Sequence, residues 1–480
     1  MAKPQNMLST QARRRAVETT ASRWTSHAGT PLSFFAFGVA FVVYRLIAPD
    51  VIYLPSSLNI FTLFVVLLLS LTIRNAYARA ISLFWGAWFV LGSLSLYAQN
   101  QTFRGLNYNL DPAECNQFYL SCIGAAVLVI RAAELAMGRL APARPALLTR
   151  GSNPWVWLLL MIFPFLYAIS IVAATGDIPM FSGRDVSAQM YEEDYGPLHA
   201  FGVFVTVACI MLWEKINDRA SAISRTPLRS LTVALMGLFV VVAAIDGRRA
   251  LAVFALFGIL LFSSAQQGRP RQRLQVLVIA TLALLGYVVA ATLRTGSDTS
   301  EAFTGIWEPL STIGTEYRDF SYGFVRLSRS QVLAYGYDWL GSTVATLVPR
   351  GLLGVLGFDK AVMLQSDSAR TLMDFWNVKL GIRIGLPGEL WFAYEWWGVA
   401  WFAGFGMVTY GVSVLALRST HFVYRGVMLA LLGLFATSVL GQSTVTFGLV
   451  LPLIYLSIAV RLIELTTKQR RQSIAMRTWT

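Results

Sequence analysis

Residues 274–293 read Leu-Gln-Val-Leu-Val-Ile-Ala-Thr-Leu-Ala-Leu-Leu-Gly-Tyr-Val-Val-Ala-Ala-Thr-Leu, and they decide the fold class of this chain. No residue in this stretch is charged. A transmembrane helix needs about 20 predominantly apolar residues to cross a hydrocarbon core of about 30 Å. The stretch therefore predicts a helix that spans a membrane.

The rest of the chain has the same character. Hydrophobic residues make up 56% of its 480 positions and charged residues only 13%, whereas a soluble domain carries about 25% charge. Similar apolar stretches predict about twelve transmembrane helices, so we expect an all-α integral membrane protein. The predicted spans are 32–48, 57–73, 80–98, 117–137, 155–174, 200–214, 228–245, 250–265, 274–293, 393–416, 424–441 and 445–463.

The formal net charge of +14 is distributed in a way that argues for a membrane rather than a nucleic acid. Basic residues cluster in alternate segments between the spans and at both ends of the chain, which is the positive-inside pattern of cytoplasmic segments. Both termini are then cytoplasmic, in agreement with an even number of spans. These clusters lie at 13–15, 74–79, 139–150, 215–229, 269–273, 418–425 and 468–471.

The predicted spans divide the chain into three parts. Residues 1–293 form an N-terminal membrane bundle of about nine helices, 294–392 form one large outward-facing loop, and 393–480 form a C-terminal bundle of about three helices. Within the loop, 316–334 predicts a short amphipathic helix, because Phe320 and Phe324 share one face while Arg318 lies on the opposite side. An alternative is that this helix lies flat on the membrane.

The sequence offers little for a metal or a disulfide framework. Its cysteines are Cys115, Cys122 and Cys209, all at or inside apolar spans, and it has only three histidines. We therefore expect no metal site and no cofactor.

Arginines on the outward side are the first candidates for function. A guanidinium group binds phosphate through paired, charge-assisted hydrogen bonds, so together these arginines indicate an anionic ligand. The alternative for each one is that it reaches to lipid headgroups. The arginines concerned are Arg184, Arg248, Arg249, Arg294, Arg318, Arg350 and Arg383.

The segment Gly-Ile-Arg-Ile-Gly-Leu-Pro-Gly-Glu at 381–389 is the densest group of candidate residues. Its glycines are expected to let the backbone approach a ligand closely. Glu389 lies at the outer end of the next span, where a low dielectric strengthens a carboxylate as a general base. An alternative is that Glu389 pairs structurally with a nearby arginine. Trp391 begins an aromatic belt that continues to Trp397.

Taken in order, these motifs resemble the Wzy-type polymerases of bacterial cell-surface polysaccharide, which join oligosaccharide repeat units. The family's Gly-x-Ile-Pro-Leu-Phe-like segment is similar to 176–181 here, and its Gly-x-Arg-like turn to 247–249. The Pro-Arg of its large loop corresponds to 349–350, and its Gly-x-Arg…Gly-Glu segment to 381–389. The resemblance implies a GT-C-like fold in the bacterial inner membrane with a large periplasmic loop.

The resemblance also implies a reaction. A glycan passes from one undecaprenyl-pyrophosphate carrier to the non-reducing end of a second lipid-linked unit, with membrane lipids and a chain-length regulator protein as further partners. Glu389 would be the base, with Glu316 and Asp185 as alternatives, and Arg350 and Arg383 would stabilise the departing pyrophosphate. The residues implied in substrate binding are Arg184, Arg248, Arg249, Arg294, Arg318, Glu316, Tyr317 and Trp391.

Two other functions stay open at this point. An O-antigen ligase has a similar layout and delivers glycan to lipid A-core, but it relies on a periplasmic histidine, and only His199 lies on the outward side. A flippase or other transporter also has about twelve spans, although transporters usually show internal repeats. The sequence shows no convincing similarity between its halves.

Overall fold

A computed structural model describes part of the N-terminal membrane bundle, part of the large loop and most of the first half of the C-terminal bundle. The residues described are 57–98, 102–103, 106–107, 113–137, 337–348, 350–365, 384–419 and 422–439, with single positions at 166, 207, 209, 210, 234, 317, 319–321, 323, 324, 447, 448, 450, 452–455 and 458. The regular secondary structure of this part of the chain is helical except for one short antiparallel hairpin, in which β1 (Thr102–Phe103) pairs with β2 (Leu106–Asn107).

Nine α-helices form the described structure. They are α1 (Ser57–Thr72), α2 (Ala76–Ala98), α3 (Ala113–Met137), α4 (Tyr337–Leu347), α5 (Arg350–Val355), α6 (Lys360–Gln365), α7 (Gly385–Tyr394), α8 (Gly398–Arg418) and α9 (Phe422–Ala436). A 3-10 turn, Glu395–Trp397, joins α7 to α8, and a second, Thr437–Val439, follows α9. The predicted spans that start at 57, 80, 117, 393 and 424 are helical in the structure, as α1, α2, α3, α8 and α9.

Two of these helices are long and apolar enough to cross a membrane, namely Glu114–Met137 and the helical run Gly385–Arg418. The helices Asn59–Thr72 and Tyr424–Val439 are apolar but shorter. Large apolar side chains are exposed along α8, as at Met407 and Val408. An exposed apolar helix face is what a lipid-facing helix requires. The predicted total of twelve spans extends beyond the described residues and stays a prediction.

One end of the bundle is held together by a polar cluster around Glu134. This carboxylate is buried in α3, and its Oε1 accepts hydrogen bonds from the backbone N–H groups of Arg74 and Asn75, each at 2.8 Å. Arg131 forms an ion pair with the same side chain. Asn75 is the N-cap of α2, because its Oδ1 accepts hydrogen bonds from the backbone N–H groups of Tyr77 and Ala78. Its Nδ2 donates to Ser413 Oγ of α8 at 2.6 Å. Glu134 thus fixes α1, α2, α3 and α8 relative to one another.

The opposite end of α3 contacts the segment around 317–324. Asn116 accepts a hydrogen bond from the hydroxyl of Tyr317, and both side chains are buried. Burial raises the pKa of Tyr317 well above its ordinary value, so the phenol stays neutral as a donor. Asn116 and Glu134 lie 18 residues apart in α3, which is about 27 Å along a helix axis. The two ends are therefore separated by about the thickness of a hydrocarbon core.

The described part of the predicted amphipathic helix packs into the protein. Positions 317, 319–321, 323 and 324 are helical. Phe320 and Phe324 share a face, as predicted, with ring centroids 5.7 Å apart. Both rings are buried, and Phe320 lies beside Phe118 of α3 and Phe392 of α7. The alternative that this apolar face lies flat on the membrane is wrong at these positions, because it packs against α3 and α7 instead.

The core of the described bundle lies between α3 and α8. Gly406 of α8 faces Ala126 of α3 so closely that a Cβ on the glycine would come within 2.8 Å of the alanine Cβ. Trp85 of α2 packs edge-on against Phe402 of α8, with ring centroids 5.3 Å apart. A small residue at a helix crossing lets two membrane helices approach closely. This crossing positions α8, and through it the helix α7 that precedes it.

Candidate active site

Glu389 is buried in the middle of α7. Its side chain is 1% exposed, and every residue of α7 from Gly385 to Ala393 is buried. Removing a carboxylate from water is costly unless hydrogen bonds or charges compensate it. An ionisable group inside a membrane helix is by default the hypothesis for a functional site, and Glu389, unlike Glu134, lies in the motif that the sequence analysis selects. Glu389 is therefore the centre from which the site is built.

A tryptophan from the large insert binds this carboxylate. Trp339 Nε1 donates a hydrogen bond to Glu389 Oε2 at 3.3 Å. An indole N–H is a donor only, so it can hold a carboxyl oxygen whether the group is ionised or protonated. The ring itself is fixed by Tyr394 and Trp401, whose centroids lie 5.7 and 6.0 Å away. Trp339 thus orients Glu389 through a rigid, three-ring support.

Helix α4, which carries Trp339, has a polar inner face and an apolar outer face. Its buried residues Trp339, Ser342, Thr343 and Thr346 follow the i, i+3, i+4, i+7 spacing of one helix face. Two apolar residues on other faces are exposed, Leu340 at 45% and Val344 at 37%. In a soluble protein the arrangement would be the reverse. A helix of this kind fits lipid outside and a polar site inside.

One hydroxyl on this inner face has no partner in the described part of the chain. Ser342 and Thr346 donate to carbonyl oxygens of their own helix, at 3.0 and 2.7 Å. The buried Thr343 Oγ1 and the buried Trp391 Nε1, by contrast, meet no hydrogen-bonding atom there. Thr343 lies one turn along α4 from Trp339. Buried polar groups are nearly always satisfied, so a missing partner is a position where a ligand hydroxyl or a water could bind.

Two glycines of the 381–389 segment approach the protein itself closely. Gly385 has a φ of +65°, and a Cβ there would lie 2.4 Å from the carbonyl oxygen of Val439. A Cβ on Gly388 would lie 2.9 Å from a ring atom of Phe320. The expectation that these glycines admit a ligand is wrong for both positions. They instead let α7 lie flush against the 3-10 turn Thr437–Val439 and the 317–324 segment, which positions Glu389.

Tyr317 and Trp391, both implied in substrate binding by the resemblance, belong to one buried aromatic cluster. Tyr317 is 1% exposed and Trp391 is 6% exposed. The cluster joins α2, α3, the 317–324 segment and α7, with centroid distances of 4.3 Å for Phe324–Trp391 and 4.8 Å for Phe118–Trp391. Stacking on a sugar would require this cluster to open. Its members are Phe89, Phe118, Tyr119, Tyr317, Phe320, Phe324, Trp391, Phe392 and Trp396.

The predicted aromatic belt divides into a buried and an exposed half at the junction of α7 and α8. Glu395 has φ 50° and ψ −133°, a backbone conformation that costs a non-glycine residue about 1–3 kcal/mol. Beyond this break Trp396 is 42% exposed and Trp397 is 79% exposed. Exposed tryptophans are typical of the membrane–water interface. The break therefore places Glu389 close to an interface, inside the protein.

The remaining predicted site residues fall into two groups. Arg350 is described, and it begins the helix α5 with its side chain exposed. The others lie outside the described residues, and their predicted roles stay predictions. They are Arg184, Asp185, Arg248, Arg249, Arg294, Glu316, Arg318 and Arg383.

The structure adds residues that sequence reasoning did not select. Trp339 lies 50 residues before Glu389, so no short motif joins them. The signal that could have identified α4 was its helical spacing of Trp, Ser and Thr within an apolar segment. For metals, the described residues hold no group of three His, Cys, Asp or Glu side chains able to bind an ion.

Comparisons with known proteins assign this chain to no family. No protein-family model, no curated protein and no solved structure matches this chain.

Proposed function

We propose that this protein is a membrane glycosyltransferase that polymerises lipid-linked oligosaccharide repeat units. The observation that carries the proposal is the pairing of a buried carboxylate, Glu389, with the hydroxyl-lined inner face of α4. An indole donor on the carboxylate, with buried hydroxyls on the same face of α4, suits a neutral, hydroxyl-rich substrate such as a sugar better than an ion or a nucleotide. The resemblance of the outward motifs to Wzy-type polymerases supplies the reaction class.

The proposed step is a glycosyl transfer. A hydroxyl oxygen at the non-reducing end of the acceptor attacks the anomeric carbon of the donor glycan. The bond from that carbon to the pyrophosphate oxygen breaks, and the pyrophosphate leaves with the electron pair. The hydroxyl proton passes to the carboxylate of Glu389, acting as general base. No external oxidant, reductant or nucleotide is required for this balance.

The surroundings of Glu389 suit that role. Its environment is nearly free of solvent, which strengthens the interaction of a carboxylate with a substrate hydroxyl. Trp339 Nε1 lies 3.3 Å from Glu389 Oε2, and this hydrogen bond sets the orientation of the carboxylate. Thr343 Oγ1 has no hydrogen-bonding partner among the described residues, and we assign it to a sugar hydroxyl. Under this proposal Trp339 is a positioning residue, and Thr343 contributes to substrate binding.

We assign the stabilisation of negative charge on the leaving group to arginines. A departing pyrophosphate accumulates negative charge, and guanidinium groups stabilise it without a proton transfer. Arg383 lies six residues before Glu389 in sequence, and it is our first candidate, followed by Arg350, Arg248 and Arg249. Arg184, Arg294 and Arg318 complete the proposed anion-binding set, at the periplasmic face of the inner membrane.

The experiment that tests the function uses purified protein in proteoliposomes with undecaprenyl-pyrophosphate-linked repeat units. Products are separated by gel electrophoresis. A ladder of lipid-linked polymers supports the polymerase. Transfer to added lipid A-core would instead identify a ligase. Movement of the lipid-linked unit between leaflets without new glycosidic bonds would identify a flippase, and either of these results would overturn the proposal.

A further inference from the structure

The helices α5 and α6 form a short hairpin whose apolar side chains point outward. Leu353 is 2% exposed and anchors the hairpin to the protein. Five other large apolar residues of the hairpin are more than half exposed. They are Leu352 at 54%, Val355 at 84%, Leu356 at 61%, Phe358 at 56% and Val362 at 61%. Contiguous exposed apolar surface of this kind marks a site of contact with a partner or a membrane.

The backbone at the tip of the hairpin is hydrogen-bonded within itself. Phe358 N–H donates to Leu353 O at 3.0 Å, and Gly357 N–H donates to Gly354 O at 3.1 Å. Gly357 has a φ of +80°, so these two bonds form a Schellman motif. Lys360 Nζ donates to the carbonyl oxygen of Val348 at 3.2 Å. Backbone can enter a lipid environment only when its polar groups are satisfied internally, and the N–H groups of Leu356, Gly357 and Phe358 are satisfied in this way.

The hairpin continues a lipid-facing surface. Helix α6 packs on α4, which carries the exposed residues Leu340 and Val344. Trp339 of α4 contacts Trp401, which is 48% exposed near the start of the candidate span α8. Six-residue helices are about 9 Å long, far too short to cross a core of about 30 Å. The hairpin therefore adjoins the membrane without spanning it.

Charges next to the tip limit how deeply it can insert. Asp359 and Lys360 follow Phe358 directly, and Arg350 begins α5. Interfacial segments that carry both apolar and charged residues lie about 5–10 Å into the boundary between headgroups and acyl chains. At that depth Val355, Leu356 and Phe358 reach the acyl chains, while Arg350 and Lys360 stay level with the lipid phosphates.

We propose that the α5–α6 hairpin is a membrane-inserted element, in which Val355, Leu356 and Phe358 enter one leaflet of the lipid bilayer. The occupant of its apolar face is lipid, not a second protein. The hairpin is covalently joined to α4, whose inner face holds Trp339 against Glu389. Lipid contact at the tip therefore positions α4 from outside. The proposal does not depend on the glycosyltransferase assignment and can be tested without a substrate.

The test is spin-label accessibility in the full chain, reconstituted in vesicles of phosphatidylethanolamine and phosphatidylglycerol. Single cysteines are introduced as Val355→Cys and Phe358→Cys. The native residues Cys115, Cys122 and Cys209 are buried, and unmodified wild-type protein reports any background labelling. Two control positions calibrate the scale. Val408→Cys, 53% exposed within α8, serves as the lipid reference, and Arg74→Cys, an exposed position between α1 and α2, serves as the aqueous reference.

The collision rates of each label with oxygen, which concentrates in lipid, and with a neutral nickel chelate, which stays in water, give its location. Labels at 355 and 358 are expected to resemble the label at 408, with high oxygen and low nickel-chelate accessibility. High nickel-chelate accessibility, as at 74, would show an aqueous hairpin. Low accessibility to both reagents with a strongly immobilised spectrum would show a protein partner. Either of these outcomes would overturn the proposal.

Discussion

Gly406 provides a quantitative test of how α8 is positioned. A methyl group added at Gly406 would meet three atoms of Ala126, namely Cβ at 2.8 Å, Cα at 2.9 Å and the carbonyl oxygen at 3.0 Å. Real Cβ atoms almost never lie within 3.0 Å of another heavy atom. Two of the three clashing atoms are backbone, so a side-chain rotation cannot relieve the overlap. The substitution Gly406→Ala must push α3 and α8 apart.

The same helix offers matched controls for this change. A Cβ at Gly404 or Gly411 would meet no atom within 4 Å. All three glycine-to-alanine changes share the gain in helix propensity of about 1 kcal/mol. That gain cancels when the variants are compared with one another. The remaining difference is the overpacking cost at Gly406, about 1–3 kcal/mol. Gly406→Ala is therefore expected to be less stable than Gly404→Ala by that amount.

The assay is unfolding of the purified variants in mixed micelles, titrated with denaturing detergent. If unfolding proves irreversible, the order of the thermal midpoints replaces the free energies. Gly404→Ala and Gly411→Ala should match or exceed the wild type, and Gly406→Ala should fall below both. Equal stability of all three variants would refute the close crossing of α3 and α8.

Three further predictions concern single side chains. Glu134→Ala removes the acceptor of the buried backbone N–H of Asn75, so the free energy of unfolding should fall by at least about 1–3 kcal/mol in the same titration. An unchanged midpoint would contradict the role given to this cluster. Trp339→Phe removes a hydrogen bond to Glu389 worth about 1.4 kcal/mol, so polymer formation should slow about tenfold, and an unchanged rate would exclude the positioning role. Thr343→Val removes a hydroxyl without a partner among the described residues, so it should weaken activity without lowering stability; a loss of stability with full activity would assign that hydroxyl to packing.

The sequence predicted the helices well because apolar length is a strong signal in a membrane protein. The starts and ends of α1, α2, α3, α8 and α9 lie within about five residues of the predicted spans. The grouping of charges also agrees with the structure at one end of the bundle. Glu134 pairs with Arg131 and accepts from the backbone N–H of Arg74 at that end, while Tyr317 lies at the other end of α3.

The site was predictable only in part. The local motif at 381–389 indicates Glu389, and the structure shows this side chain buried within α7, while its role as a base stays a prediction. Trp339 could not be paired with it, because 50 residues separate them and only tertiary packing brings them together. The interpretation of Gly385 and Gly388 failed for a related reason. A glycine shows that a close approach is allowed, but the sequence does not show whether a ligand or the chain's own backbone makes that approach.

In the proposed reaction the buried carboxylate of Glu389 takes the proton of the acceptor hydroxyl during glycosyl transfer. The most direct measurement is polymer formation from lipid-linked repeat units by Glu389→Gln, which keeps an acceptor oxygen for Trp339 but removes the base. Glu395→Gln is the matched control, since that carboxylate is exposed and lies six residues along the chain. Loss of a general base typically costs about 10²–10⁴-fold in rate.

We predict that Glu389→Gln loses the polymer ladder while its amount in the membrane and its unfolding midpoint stay those of the wild type. Glu395→Gln should give a wild-type ladder, and Arg383→Ala should lose the ladder as Glu389→Gln does. A wild-type ladder from Glu389→Gln would contradict the claim that this carboxylate is the base.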